Sequence, residues 1–360
     1  MKLLYYITSH GYGHAARTVA LCNKLPSAIE VVFRTTVPEA FFNREMARPF
    51  SYAPAQFDCG CIQTDGVTVD IDATLSRYMD IAKANAILLD NEAAMCRKNN
   101  VDGIVSDIVP FAFNVAHEAK IPSLAITNFT WHTIYKEYLK DRPDFAADLA
   151  LMEKQYAMAD ALLALSPASS MPYFAKAIPA GPIGRKGDNI RDLIAMAFGI
   201  SDRAKIGLIY IGNFGMNDML WKDLEQFDEW EFFGLYPLPG AAKNYHCIDQ
   251  KTFAYRDFAA SADVMICKLG YGTCAECFVN GLPIIYLPRR GFAEYECLAR
   301  AVLQWGHGHE LSSQMFRSLQ WHNALQSVAS RPKPLPAPAS GIETCIQTIY
   351  DMFDNSQHFA

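Results

Sequence analysis

The chain has 360 residues, 51% of them hydrophobic and 19% charged, with a formal net charge of -6 at pH 7. That length suits two lobes better than one, since single cores seldom grow beyond ~250–300 residues. The composition excludes a disordered chain, and the acidic balance excludes the basic field that draws a protein to nucleic acid or anionic lipid.

Residues 2–8 read as a buried strand, 15–25 as a helix and 29–35 as a strand of branched residues, which is a βαβ opening. The first apolar run, Leu3 to Ile7, is too short for a signal-peptide core or a membrane span, so the chain is expected to stay in the cytoplasm. Alternation continues with a helix over 74–98, a strand over 103–106, a helix over 111–119, a strand over 123–127 and a last strand of this half over 161–165.

The breakers Pro179, Gly181, Pro182, Gly184 and Gly187 then mark a lobe boundary. After it come strands over 206–211 and 232–236, a helix over 252–261, a strand over 264–268, a helix over 273–279, a strand over 283–287 and a helix over 294–303. Four prolines make 331–339 an extended connector, and the apolar spacing of 342–353 predicts one last helix. The expectation is an α/β chain of two Rossmann-like lobes, 1–180 and 181–341, with a tail over 342–360 whose helix crosses back to the first lobe. A crevice between the lobes would face the carboxyl ends of both sets of strands, where ligands of such folds bind.

The ten cysteines are scattered in a chain read as unexported, so they are taken as reduced and packed. Neither Cys59-Gly-Cys61 nor Cys274-x-x-Cys277 has the second pair that a structural zinc site needs.

Between the first strand and first helix stands Ser9-His10-Gly11-Tyr12-Gly13-His14-Ala15-Ala16-Arg17. Its glycines permit a tight turn and close backbone approach, but the spacing is not the G-x-G-x-x-G of a dinucleotide site, which argues against hydride transfer. His10, Gly11, Gly13 and Arg17 are placed on the first-lobe wall of the crevice, the side that the resemblance given below assigns to an acceptor. His14 at its mouth is the candidate general base, with a helix-capping role as the alternative. Asp107, after a strand at the same sheet end, is the candidate carboxylate to orient that base, or equally a cap of the next helix.

In the second half, Lys268-Leu269-Gly270-Tyr271-Gly272-Thr273 joins strand to helix, and free amides with a nearby cation suit a diphosphate. Glu276 lies about one turn into that helix, where it can accept from ribose hydroxyls or serve the helix start. Gly212, Asn213 and Gly215 offer further amides to the same diphosphate. Asp70-Ile71-Asp72 precedes a helix and reads as a cap, so no metal is expected.

Four stretches together resemble the glycosyltransferase-like N-terminal half of plant-type arabinokinases and, more broadly, two-lobed nucleotide-sugar glycosyltransferases of the GT-B class. They are 9–17; Phe57-Asp58-Cys59-Gly60 through Thr68-Val69-Asp70; Val105-Ser106-Asp107-Ile108-Val109-Pro110 through Thr127-Asn128-Phe129-Thr130-Trp131; and 268–273 through Arg289-Arg290. The resemblance implies His14 as acceptor-activating base with Asp107 as partner, Thr273 on the phosphates, Glu276 on the ribose, Glu294 on the donor sugar, and uridine as the base. Tyr295 departs from the glutamine common at its position, and without a kinase half before Ala360 arabinose phosphorylation is not expected. The implied reaction is metal-independent, inverting transfer from a UDP-sugar co-substrate to the hydroxyl of a small-molecule or glycan acceptor. A nucleotide-sugar 2-epimerase and a non-catalytic nucleotide-sugar-binding module are the rivals.

Overall fold

The structure is a computed structural model that describes residues 1–65, 68–211, 219–240, 242–289, 291–337 and 341–354. Its first half holds strands β1 (Lys2–Ile7), β2 (Glu30–Arg34), β3 (Ser51–Tyr52), the antiparallel hairpin β4 (Gln63–Asp65) and β5 (Thr68–Val69), then β6 (Gly103–Asp107), β7 (Ser123–Thr127), β8 (Ala161–Leu165) and β9 (Ala177–Ala180). Apart from the hairpin these form one sheet in the order β3-β2-β1-β6-β7-β8-β9, and its neighbouring strands run parallel. The second half builds a six-stranded parallel sheet from β10 (Lys205–Tyr210), β11 (Trp230–Gly234), β12 (Tyr245–Cys247), β13 (Val264–Lys268), β14 (Ile284–Leu287) and β15 (Gly308–Glu310), ordered β12-β11-β10-β13-β14-β15.

The sequence explains why the central strands are central. Leu3 to Ile7, Gly103 to Asp107 and Ser123 to Thr127 are buried at every residue, and near-continuous burial is what a parallel sheet covered on both faces demands. In each sheet the strand order reverses once, between β1 and β6 and between β10 and β13. These switch points open a crevice beyond the strands' carboxyl ends.

Several boundaries differ from those read off the sequence. Residues 161–165 are not the last strand of their half, because β9 adds an edge; its Pro179 sits there without breaking the sheet, since an edge strand has a free side. β6 includes Asp107, so the carboxylate ends the strand rather than following it. The first helix starts at Gly13, which places His14 in its first turn. β11 ends at Gly234, so residues 235 and 236 fall in a bend beyond the strand.

One buried apolar cluster runs from Leu3, Tyr5 and Val19 through Tyr271 and Cys274 to Leu208 and Ile284, so the two sheets share a core on one side of the crevice. The segment between them is tightly seated: the backbone N–H of Ile183 donates to the Tyr271 hydroxyl at 3.0 Å. The Gly341–Phe353 helix packs on the Gly13–Cys22 helix and on β9, burying Cys345, Ile349 and Phe353. Among the described residues no helix is long and apolar enough to cross a membrane.

Phe353 lies directly against Gly103, where any β-carbon would overlap its ring. Gly103→Ala is therefore expected to destabilise the chain by about 1–3 kcal/mol, the usual cost of overpacking. Urea unfolding of Gly103→Ala, Phe353→Leu and the double variant checks this: the smaller ring should recover part of the loss, and strictly additive effects would refute the contact.

Candidate functional site

The crevice has a volume of about 960 Å³ and is walled by both halves. From the first half come the 9–14 loop and Arg17, and from the second Lys268, the 270–273 loop, Glu276, Arg289 and Glu294. A β-carbon added to Gly11, Gly13, Gly270 or Gly272 would meet no atom within 4 Å, so these glycines border open space. Gly11 also needs its glycine for the backbone, with φ at +74°.

His14 and Asp107 are brought together. His14 Nδ1 lies 2.9 Å from Asp107 Oδ1, with both side chains buried. Nδ1 also lies 3.0 Å from an Arg17 terminal nitrogen, but that nitrogen already donates to Asp107 Oδ1 at 2.5 Å; with Nδ1–H given to the carboxylate, Nε2 on the far side of the ring is the nitrogen free to take a proton. Neither residue caps a helix: the Gly13–Cys22 helix has Tyr12 at its cap and the Phe111–Ala119 helix has Pro110, both without a side-chain cap bond. Asp107 is aimed by its neighbour. Ile108 adopts φ of +73°, a costly conformation for a β-branched residue, and the Tyr156 hydroxyl holds its carbonyl at 2.6 Å.

The carboxylate is not His14's alone. Arg17 closes on Asp107 with two bonds, Nε to Oδ2 at 2.7 Å and a terminal nitrogen to Oδ1 at 2.5 Å. Its other terminal nitrogen donates to Asn128 Oδ1 at 2.5 Å, and Asn128 Nδ2 donates in turn to Glu294 Oε1 at 2.8 Å across the crevice. Arg17 was expected on the acceptor side; it borders the crevice, but its guanidinium is fully engaged with the protein and sits 4.9 Å over the Tyr271 ring. Burial raises the Asp107 carboxyl, yet the Arg17 and His14 charges and their hydrogen bonds outweigh it and hold it below its ordinary range.

His10 is a different kind of histidine. Its Nδ1 accepts from the Cys61 backbone N–H at 3.2 Å, so its proton is on Nε2. Burial, then the neighbouring charges of His14, Arg289 and Lys268, push it down to about 3, so it stays neutral and acts as a donor. Gly60, at φ of +60°, makes room: a β-carbon there would lie 2.5 Å from the His10 ring.

On the second-half wall Lys268 ends β13 and Gly270 begins the Tyr271–Asn280 helix without a side-chain cap, leaving its first amides to the crevice. Burial, then Arg289, pulls the Lys268 ammonium down to about 8. Glu276 is buried, and Arg185 Nε donates to its Oε1 at 2.5 Å; Arg185 also reaches Glu45 at 3.7 Å. Gly212, Asn213 and Gly215 lie outside the described residues. Asp70 is the cap it was read as, its side chain accepting from the Ala73 amide at 2.9 Å.

Sequence reasoning assigned no role to four residues of this site. Asn128, Asp58 and Arg289 stood in the motifs already quoted without a role of their own, while Arg185 had no periodic or spacing signal to mark it. Asp58 is fully buried behind the crevice, accepting from the Thr8 hydroxyl at 2.9 Å and from the Trp131 indole N–H at 2.8 Å.

Among known structures the fold recurs in glycosyltransferases. The kitacinnamycin glycosyltransferase superposes with a TM-score of 0.69 at 15% identity, over 98% of this chain and 99% of that one. The spinosyn rhamnosyltransferase gives 0.65 at 15% identity over 98% and 96%. The UGT2 of Phytolacca americana, solved with UDP-2-fluoro-glucose and pterostilbene, gives 0.60 at 13% identity over 98% and 94%. The chain thus has the GT-B fold, two Rossmann-like lobes around a ligand crevice. By sequence it is similar to the L-arabinokinase of Arabidopsis thaliana, at 29% identity over 339 residues that cover 91% of this chain and 32% of that protein. The chain therefore spans about a third of that relative's length. No protein-family model matches it.

The buried Asp58 gives the site a pH signature. Burial raises its carboxyl to about 6, against ~3.9 for an unfolded aspartate. Between those values the folded chain holds a proton that the unfolded chain has released, so stability falls as pH rises through this window and the loss is complete above it. In Asp58→Asn, neutral throughout, that component is absent. Urea melts at pH 4.5 and 7.5 should show wild type losing about 2 kcal/mol more than the variant on going to the higher pH; equal changes would mean Asp58 titrates normally.

Proposed function

We propose that the chain transfers a sugar from a nucleoside-diphosphate sugar, with UDP as the carrier, to an acceptor hydroxyl, in the cytoplasm and without a metal. The observation that carries this reading is the His14–Asp107 pair, which faces across one crevice the uncapped helix start beside Lys268. A proton acceptor on one wall and an anion site on the other are the two halves of a glycosyl transfer.

In the inverting form, an acceptor hydroxyl approaches His14 Nε2, which takes its proton as the oxygen attacks the anomeric carbon. The bond to the diphosphate breaks on the opposite face, and the imidazolium is held by Asp107 through Nδ1–H. Amides of the Tyr271–Asn280 helix start, the Thr273 hydroxyl and Lys268 receive the negative charge that develops on the leaving diphosphate. Glu276 and Glu294 supply acceptors for ribose and donor-sugar hydroxyls. The acceptor enters beside Tyr12, an exposed ring stacked on Phe41 at 5.2 Å, a platform suited to a sugar or aromatic face.

A second reading, a module that binds a nucleotide sugar and transfers nothing, draws support from one feature: Glu276 and Glu294 are both already held by protein donors. The His14→Ala variant separates the two. An enzyme should keep its UDP affinity, since His14 stands on the other wall, and lose about 10²–10⁴-fold in turnover. Calorimetry with UDP and a donor-consumption assay over a panel of acceptors check this. Parental turnover in the variant removes His14 as base, and absence of UDP binding in the wild type removes the nucleotide-sugar reading. Asp107→Asn is the poorer probe, because it strands buried Arg17 without its partner, and breaking a buried pair costs about 3–5 kcal/mol in folding.

A further inference from the structure

The arginines of the crevice region are neutralised unequally. Arg17 is clasped by Asp107, Arg44 by Glu45 and Arg185 by Glu276. Arg289 has no such partner: among the described residues it makes no ion pair, and its buried Nε has no hydrogen-bond acceptor. Its guanidinium carbon instead lies 4.1 Å over the Phe292 ring, which fixes the planar fork in place. A partly buried guanidinium with no carboxylate at contact distance is costly; Arg289 feels the charge of Glu294 without an ion pair to it, which leaves its fork unfilled.

Its position says which part of a ligand would supply that half. Lys268 pairs in register with Leu287, the last residue of β14, and Arg289 follows two residues on, so both cations open on the same edge of the crevice. Arg289 is nevertheless turned toward the first lobe. Phe292 stacks with His10 at 6.0 Å and meets Phe129 at 5.7 Å, and the backbone between, at Gly291, is held by the Tyr138 hydroxyl at 2.9 Å. The diphosphate belongs at the Tyr271–Asn280 helix start; Arg289 lies toward the sugar and acceptor. Neutral His10 stands beside it as a donor and brings no competing charge.

We propose that Arg289 binds an oxyanion carried by the substrate beyond the diphosphate, a carboxylate or phosphate on the transferred sugar or on the acceptor. Lys268, on the same edge, adds to the field, and the fork of Arg289 provides the bidentate geometry that such groups accept. This rests on the nucleotide-sugar reading for the substrate class and adds a charge that a neutral hexose does not carry.

The test is calorimetry on the full chain and on Arg289→Met, which removes the charge while keeping an apolar stem on Phe292, with Arg289→Lys as partial rescue. UDP, UDP-glucose and UDP-glucuronate are titrated first. If the oxyanion is on the sugar, wild type prefers UDP-glucuronate to UDP-glucose by about tenfold or more. Arg289→Met should then abolish that preference while leaving UDP unchanged. If it is on the acceptor, the two donors bind alike, but glucose 6-phosphate or glucuronate binds the UDP-saturated wild type and not Arg289→Met. The proposal is overturned if neither acid ligand distinguishes the two proteins, or if Arg289→Met weakens UDP, UDP-glucose and UDP-glucuronate by one common factor, which would assign Arg289 to the diphosphate. Should no nucleotide bind at all, the nucleotide-sugar reading fails by itself. Glucose 6-phosphate and glucuronate titrated onto the apo chain still decide the oxyanion site, in favour if their binding is lost in Arg289→Met and against if it is not.

Discussion

The polar order of the crevice depends on one buried clasp, the fork of Arg17 closed on both oxygens of Asp107. Two charges taken out of water repay their desolvation only when the geometry is bidentate and the remaining donors and acceptors are also satisfied. Here they are: the second terminal nitrogen of Arg17 goes to Asn128, and Asp107 retains a site for His14. With the clasp in place His14 has a fixed tautomer, and Asn128 is oriented so that its amide nitrogen points across the crevice to Glu294. The chain of contacts from His14 to Glu294 therefore passes from one lobe to the other without an unpaired buried charge along it.

The clasp also explains how two histidines four positions apart take opposite roles. His14 faces a carboxylate, so its Nδ1 must donate and Nε2 is left basic. His10 faces a backbone amide, so its Nδ1 must accept and Nε2 is left a donor. Nothing in the sequence of the 9–17 loop distinguishes them; the difference is made by Asp107 and by the Cys61 amide, which arrive from distant parts of the chain. Gly60 matters for the same reason, since it is the close approach of its backbone that sets His10 in place.

What could be read in the sequence was whatever repeats or breaks a period. The buried strands, the helix over 111–119 and the glycine-bordered turns stood out because burial on both faces and helix starts impose composition locally, and two Rossmann-like lobes followed from their alternation, while the GT-B class came from the resemblance of the four quoted stretches. The convergence of His14 and Asp107 was legible through one topological rule, that parallel strands bring their carboxyl ends to one edge. β9 was hidden because Pro179 reads as a breaker and an edge strand tolerates it. Asn128, Asp58, Arg185 and Arg289 were illegible as site residues for a deeper reason: each draws its role from partners 50 or more positions away or, for Arg289, from the lack of one, and no local pattern encodes either.

The engagement of Glu276 by Arg185 does not conflict with a ribose role once the carboxylate is counted by lone pairs. An ionised glutamate has about four acceptor sites, and Arg185 occupies Oε1 through a single N–H, leaving Oε2 for a diol. Arg185 fixes the carboxylate so that a ligand need not order it, which lowers the entropic cost of binding. It does so from the segment that joins the lobes, and its 3.7 Å contact with Glu45 ties that same guanidinium to the first lobe. A nucleotide bound at Glu276 would therefore be sensed at the hinge between lobes. For the proposed nucleotide site, one arginine would then tie the ligand's carboxylate partner to the first lobe.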